Sequence, residues 1–307
     1  MMQVLHPSKP RAQVPIAAAH LSARTVVTNP ANPFATPLTA ALPDLTAWTK
    51  HFERAQIPVL AQTKDGIEAL KVNEDEVDAN TIGEMLAGDP LMTLKILIQA
   101  SAQRSVRSTT EIETVIGALV MMGIPPFFAT FGSEQTVDEC LAHQPQALDG
   151  LNETIRRAHR SATFALAIAV HRMDPDAAII HAAASLHDFA EMLLWCHAPS
   201  LALEIRQAQR HDANLRSVLA QREVLNIDLA ELQQSLLKAW QLPTRLARMI
   251  DSNHPQHPSA QSVNLAVRLA RHTANGWNNP AIQDDVAALA TLLNLSETAT
   301  RELLDDI

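Results

Sequence analysis

The sequence predicts an all-α protein, and three observations carry that prediction. Apolar residues rich in Ala and Leu make up 47% of the chain while aromatics make up 4%, tyrosine is absent and glycine occurs eight times, a composition that favours helix. No segment alternates apolar and polar residues between hairpin-type turns. Apolar residues recur instead at three- and four-residue spacing between recognisable caps. At 307 residues the chain is long enough for two domain-sized units, or for one helical body with an extension.

Taken in order, residues 1–43 hold Pro7, Pro10, Pro15, Pro30, Pro33, Pro37 and Pro43 and no acidic residue, so this stretch reads as a flexible proline-rich tail without a long helix. Asp44 caps a first helix carrying Leu45, Trp48 and Phe52, closed before Pro58. A short helix over 65–72 and the acidic turn NEDEVD follow. Helices over 78–86 and 90–100 meet at Gly88-Asp89-Pro90, with Asp89 as cap and Pro90 at the first helical position. Thr110 and Glu113 have capping-box spacing ahead of VIGALVMMG, which stops at Gly123. These elements make an N-terminal bundle over 44–125.

Residues 127–149 read as a less regular connection. The hydrophobic stripe Met121, Met122, Ile124, Phe127, Phe128 and Phe131 is expected in the core, and any exposed part of it becomes a partner surface. A helical body over 150–275 then opens with a long helix at 151–172, broken at Asp174-Pro175. Its centre is predicted to be one helix from Asp176 to Cys196, and Pro199 starts the next. Asp228 and Glu231 form a second capping box before a helix closed at Pro243, and a short helix covers 244–250. Helices over 263–275, 280–293 and 296–305 end the chain, those after 276 packing on the body.

A net charge of −9 and a pI near 5.8 argue against nucleic-acid binding, which needs basic surface to release counterions from phosphates. Apolar runs fall short of the roughly 20 residues that cross a bilayer, and no secretory leader pattern opens the chain, so the expected compartment is the cytoplasm and no membrane partner is expected. Cys140 and Cys196 lack paired-Cys spacing and read as reduced core thiols. The pairings Cys196-His197 and Cys140-x-x-His143 are half a zinc site at most.

Chemistry concentrates in AAASLHDFAEMLLWC at 182–196, an apolar run interrupted by Ser185, His187, Asp188 and Glu191. Burying an imidazole and a carboxylate costs free energy unless each finds a partner. The His187-Asp188 pair is therefore either a metal-ligand pair or a hydrogen-bonded polar plug. Its apolar flank separates it from His211-Asp212, a second such dipeptide in a solvated setting. Arg156, Arg157 and Arg160 cluster on one helix, a grouping that clamps phosphate or forms salt-bridged surface.

Five stretches in a fixed order carry a family resemblance: IPVLAQT at 57–63, VDANTIGEMLAGDPLMTLKIL at 77–97, IETVIGALVMMG at 112–123, AAASLHDFAEMLLW at 182–195 and LLKAWQLP at 236–243. Together they resemble the bacterial HDOD family, relatives of the HD-type metal-dependent phosphohydrolases that usually lack the full ligand set. The resemblance implies an N-terminal helical bundle followed by an HD-hydrolase-like helical body, and a signalling or regulatory role. Carried over residue by residue, it leaves at most His159, His187, Asp188 and His254 as metal ligands, with Arg156 and Arg157 as ligand-binding residues. Leu229, Asn253 and Arg271 stand where other ligands are expected, and the Arg271 guanidinium repels a cation.

The resulting expectation is a non-catalytic HDOD-type regulator with no cofactor. It acts by binding other signalling proteins or a small nucleotide ligand through the interface between its two helical parts. The alternative is a phosphodiesterase of a nucleotide or cyclic dinucleotide, in which a residual divalent metal survives at the His-Asp pair.

Overall fold

The structure is a computed structural model describing residues 37–103, 111–212, 214–251, 257–305 and 307. The proline-rich stretch before Pro37, the polar 104–108 loop, Thr110, Asn253 and His254 lie outside the described residues.

Helix α1 (Leu45–Arg54) starts where the Asp44 carboxylate accepts the Ala47 amide, and it buries Trp48 and Phe52. Each fully buried side chain of that size contributes about 1.5–3 kcal/mol relative to exposure. Helix α2 (Ala61–Lys71) begins four residues before its expected start and leads through a 3₁₀ turn (Glu74–Glu76) to α3 (Ala79–Leu86) and α4 (Pro90–Ala102). Asp78 and Asp89 cap the last two through the Thr81 and Met92 amides. Helix α5 (Val115–Met122) is capped by Thr114, which accepts the Gly117 amide.

Gly123, at φ 85°, ends α5 and starts α6 (Ile124–Phe131) directly. The region expected to be irregular is thus largely helical. Pro125 and Pro126 sit in the first turn of α6, where a missing N–H costs nothing. Phe127, Phe128 and Phe131 are buried as expected, while Ile116, Val120 and Met121 of α5 are exposed. Among the described residues there is no strand, only an isolated parallel bridge between Val59 and Thr136.

After the one-turn α7 (Val137–Cys140), the 27-residue α8 (Pro145–His171) runs through the body and packs against α9 (Ala177–Ser185), α10 (Phe189–His197), α11 (Pro199–His211) and α15 (Pro258–His272). Around them lie α12 (Ser217–Leu225), α13 (Leu229–Ala239), α14 (Thr244–Ile250), α16 (Ala281–Leu293) and α17 (Glu297–Asp305).

Two apolar clusters result. One gathers Ile67, Ile82, Met92, Leu119 and Phe127 from α2 to α6, and the larger fills the body. Helix α4 contributes to both, Met92 and Ile96 to the first, Leu91 and Leu94 to the second. Helix α1 joins the larger one, packing on α13 while the Trp48 indole donates to the Leu225 carbonyl at 2.9 Å. Residues just before α1 also lie on the body: Leu38 N–H donates to the His197 carbonyl at 2.8 Å, and Asn226 donates to the Leu42 carbonyl.

The single helix expected over 176–196 is two helices, with Leu186, His187 and Asp188 forming the break between them. Residues 177–197 are the most membrane-like of the described chain in length and hydropathy, and 72% of their most apolar 18-residue window is buried inside the protein.

Candidate functional site

The break between α9 and α10 is where the site is made, and a side chain from elsewhere holds it open. Gln233, buried on α13, donates its amide to the His187 carbonyl at 2.7 Å, and its carbonyl accepts the Ala190 amide at 3.4 Å. A continuous helix would have used both backbone groups internally, and a side chain inserted into that ladder kinks or splits the helix.

Asp188 is left at the N-cap of α10, but its carboxylate makes no capping bond. It receives cations instead. Arg271 of α15 donates to Oδ1 at 2.7 Å and Arg157 of α8 donates through Nε to Oδ2 at 3.0 Å. His187 Nδ1 lies 2.9 Å from Oδ1. Arg157 also donates to Glu191 at 2.6 Å, and the other Glu191 oxygen accepts the Thr154 hydroxyl at 2.9 Å. Gly150, Thr154 and Arg157 reach this point together because they lie on one face of α8 at helical spacing.

Burial pushes the Asp188 carboxyl up, but Arg271, Arg157 and the His187 hydrogen bond outweigh it and hold the group well below the usual carboxylate range of 3.8. For Arg157, burial lowers the pKa and the charges of Glu191 and Asp188 more than reverse that, so the guanidinium stays fixed in its charged form.

The web lines a cavity of about 550 Å³ whose lining, among the described residues, runs from Gly150 to Arg271 and so belongs to the body. Apolar wall comes from Leu194, Trp195, Ile205, Val218 and Leu229. Trp195 is wedged against Gly150, where an added Cβ would stand 2.5 Å from the indole ring. Any side chain there would force the ring or the helix to shift.

The residues singled out in the sequence meet different fates. His187, Asp188 and Arg157 come together, and Arg271 joins them at the cation position. His159 does not: two residues beyond Arg157, it is turned about 200° around α8 and its Nε2 contacts the Gly88 carbonyl. Arg156 is exposed and outside the cavity lining. Leu229 is buried in the wall. Glu191, Thr154 and Gln233 complete the web, and only Glu191 stood out beforehand, as a polar interruption of an apolar run. Cys140 and Cys196 are free thiols, burial pushing the first up to about 12 and the second upward as well.

A divalent metal of the HD type does not fit these donors. Both Asp188 oxygens are bound to cationic groups, and among the described residues no three His, Cys, Asp or Glu side chains are grouped to hold an ion. Two guanidiniums on the only carboxylate of the pair oppose a third positive charge.

An all-helical body with a His-Asp pair at a central helix break defines the class: an HD-like helical protein whose pair is held by arginines. The chain belongs to the HDOD domain family, which matches residues 57–256. Among solved structures it is similar to a response regulator, MmoQ, from Methylococcus capsulatus, at 20% identity and a TM-score of 0.61 over 81% of this chain and 98% of that one. It is also similar to a virulence factor from Campylobacter jejuni, at 18% identity and a TM-score of 0.58 over 84% and 92% of the two chains. At these identities the likeness is one of fold. No curated protein matches the chain.

Proposed function

We propose that this HDOD protein is a non-catalytic regulator that works by binding a partner protein or a small ligand, with an arginine clamp where relatives of the HD type hold a metal. The observation that carries this reading is the pair of guanidiniums on Asp188, from Arg157 and Arg271. Arg271 supplies permanently the positive charge that the carboxylate would otherwise take from an ion. The web then ties α8, α10 and α15 together without activating water. The response-regulator description of the Methylococcus protein is in keeping with a signalling role. The exposed face of α5 at Ile116, Val120 and Met121 is the surface proposed for a protein partner.

The test is the metal content of purified wild-type protein by mass spectrometry, with phosphodiesterase assays against cyclic dinucleotides and nucleotides in added Mn²⁺ or Fe²⁺. Substoichiometric metal and no turnover are expected. Turnover that His187→Ala abolishes would sink the proposal.

A further inference from the structure

The cavity beside the arginine clamp has a chemistry of its own. Its cations are already matched: Arg157 by Asp188 and Glu191, Arg271 by Asp188, and Arg206 by Glu153 at 3.0 Å. An entering phosphate would meet these carboxylates together with the guanidiniums, and would have to displace ion pairs that are partly desolvated. The phosphate-clamping role expected for Arg157 is therefore closed to it.

What the cavity offers unspent is neutral. The Gln234 carboxamide lines the cavity and makes no hydrogen bond within the described protein. Gln221 spends only its carbonyl, on the Leu229 amide at 3.0 Å, and keeps its NH₂. Gln209 donates to the Ser217 hydroxyl at 2.8 Å and keeps its carbonyl. Against these stand the apolar Leu194, Ile205 and Val218.

From this arrangement we infer that the cavity binds an uncharged nucleobase-type ligand, a free base or nucleoside and not its phosphate ester. Such a ring is planar, with apolar faces and an edge that alternates donors and acceptors, which the free Gln234 carboxamide can read bidentately while Gln221 supplies a donor and Gln209 an acceptor. The volume of about 550 Å³ lies within the ordinary range for small-molecule sites. The inference rests on the binding reading above and names the ligand class of the same region.

Titration calorimetry of the full chain with adenosine and guanosine, beside AMP and GMP, tests it. One-site saturable binding of at least one nucleoside is expected, with its monophosphate weaker by about tenfold or more. Gln234→Leu should weaken the nucleoside by about tenfold and leave the thermal midpoint unchanged, since that side chain holds nothing else. Three results each overturn the inference: no saturation by either nucleoside at millimolar concentration, tighter binding of the monophosphate, or unaltered binding by Gln234→Leu. A metal-free, turnover-free protein that binds no nucleoside overturns this inference alone, whereas metal-dependent turnover overturns the functional reading beneath it.

Discussion

Two buried carboxylates, one at the start of α4 and one at the start of α10, have opposite electrostatic fates. Asp89 is 1% exposed and is answered by backbone: its oxygens accept the Leu60 amide at 2.8 Å and the Met92 amide at 2.9 Å. Burial pushes its carboxyl above the usual 3.8 by more than those amides and the Thr63 hydroxyl lower it. Asp188, with a side chain 11% exposed, is answered by two guanidiniums and an imidazole and falls well below the same value. Both residues occupy N-cap positions, yet only Asp89 caps its helix. An aspartate at a helix start is thus a structural latch where the donors are neutral amides, and a charge-bound hub where cations converge. The second kind of site is the one that lines a cavity.

The contrast can be broken most forcefully at Arg157. Its side chain is 21% exposed and serves both Asp188 and Glu191, so Arg157→Ala removes a cation from two partly buried anions at once, leaving Glu191 only the Thr154 hydroxyl, and should cost about 3–5 kcal/mol in denaturant unfolding. Asp89→Ala comes next. Losing the cap and orphaning the Leu60 amide should cost about 2–4 kcal/mol, with no change in ligand or metal behaviour. Arg271→Ala should cost only about 1 kcal/mol, because that side chain is 48% exposed and Arg157 still holds the other Asp188 oxygen. If Arg271→Ala proved as damaging as Arg157→Ala, the two guanidiniums would be equal partners and the ranking by burial would be wrong.

The smallest effect sharpens the comparison by its sign. Asp188, lowered by its cations, contributes stability that is present above pH 3.8 and is lost as pH falls through that value toward its folded pKa. Asp89, raised by burial, does the reverse: its folded form binds more protons, so stability declines as pH rises above 3.8 toward its folded pKa. Thermal melts from about pH 3 to 6 should show Asp188→Asn flattening the acid limb and Asp89→Asn removing the decline above it. Both variants acting on the same limb would refute the assignment.

Much of this architecture was legible because it is local. Caps at Asp44 and Asp89, the Pro90 start, the Gly123 stop and the span of α14 all follow from contacts within a few residues. Helix α6 was hidden by a local ambiguity, since Pro125-Pro126 reads equally as a stop or as a first turn. The site was half legible. The apolar flank marked His187-Asp188, and Arg271 could be seen to oppose a metal. His159 was a false partner, because a loose match along the chain does not say which face of α8 a residue occupies.

What the sequence determined by itself, then, is the helical class, most helix starts and the burial of a His-Asp pair, all fixed by patterns of spacing and charge within single turns. Tertiary structure alone decided that the apolar run would break at that pair, since Gln233, more than forty residues away, supplies the hydrogen bonds that stabilise the break. It alone brought Arg157 and Arg271, on α8 and α15, to the two oxygens of one carboxylate. Long-range partners leave no periodic trace, because their energy depends on where helices pack and not on how each one forms.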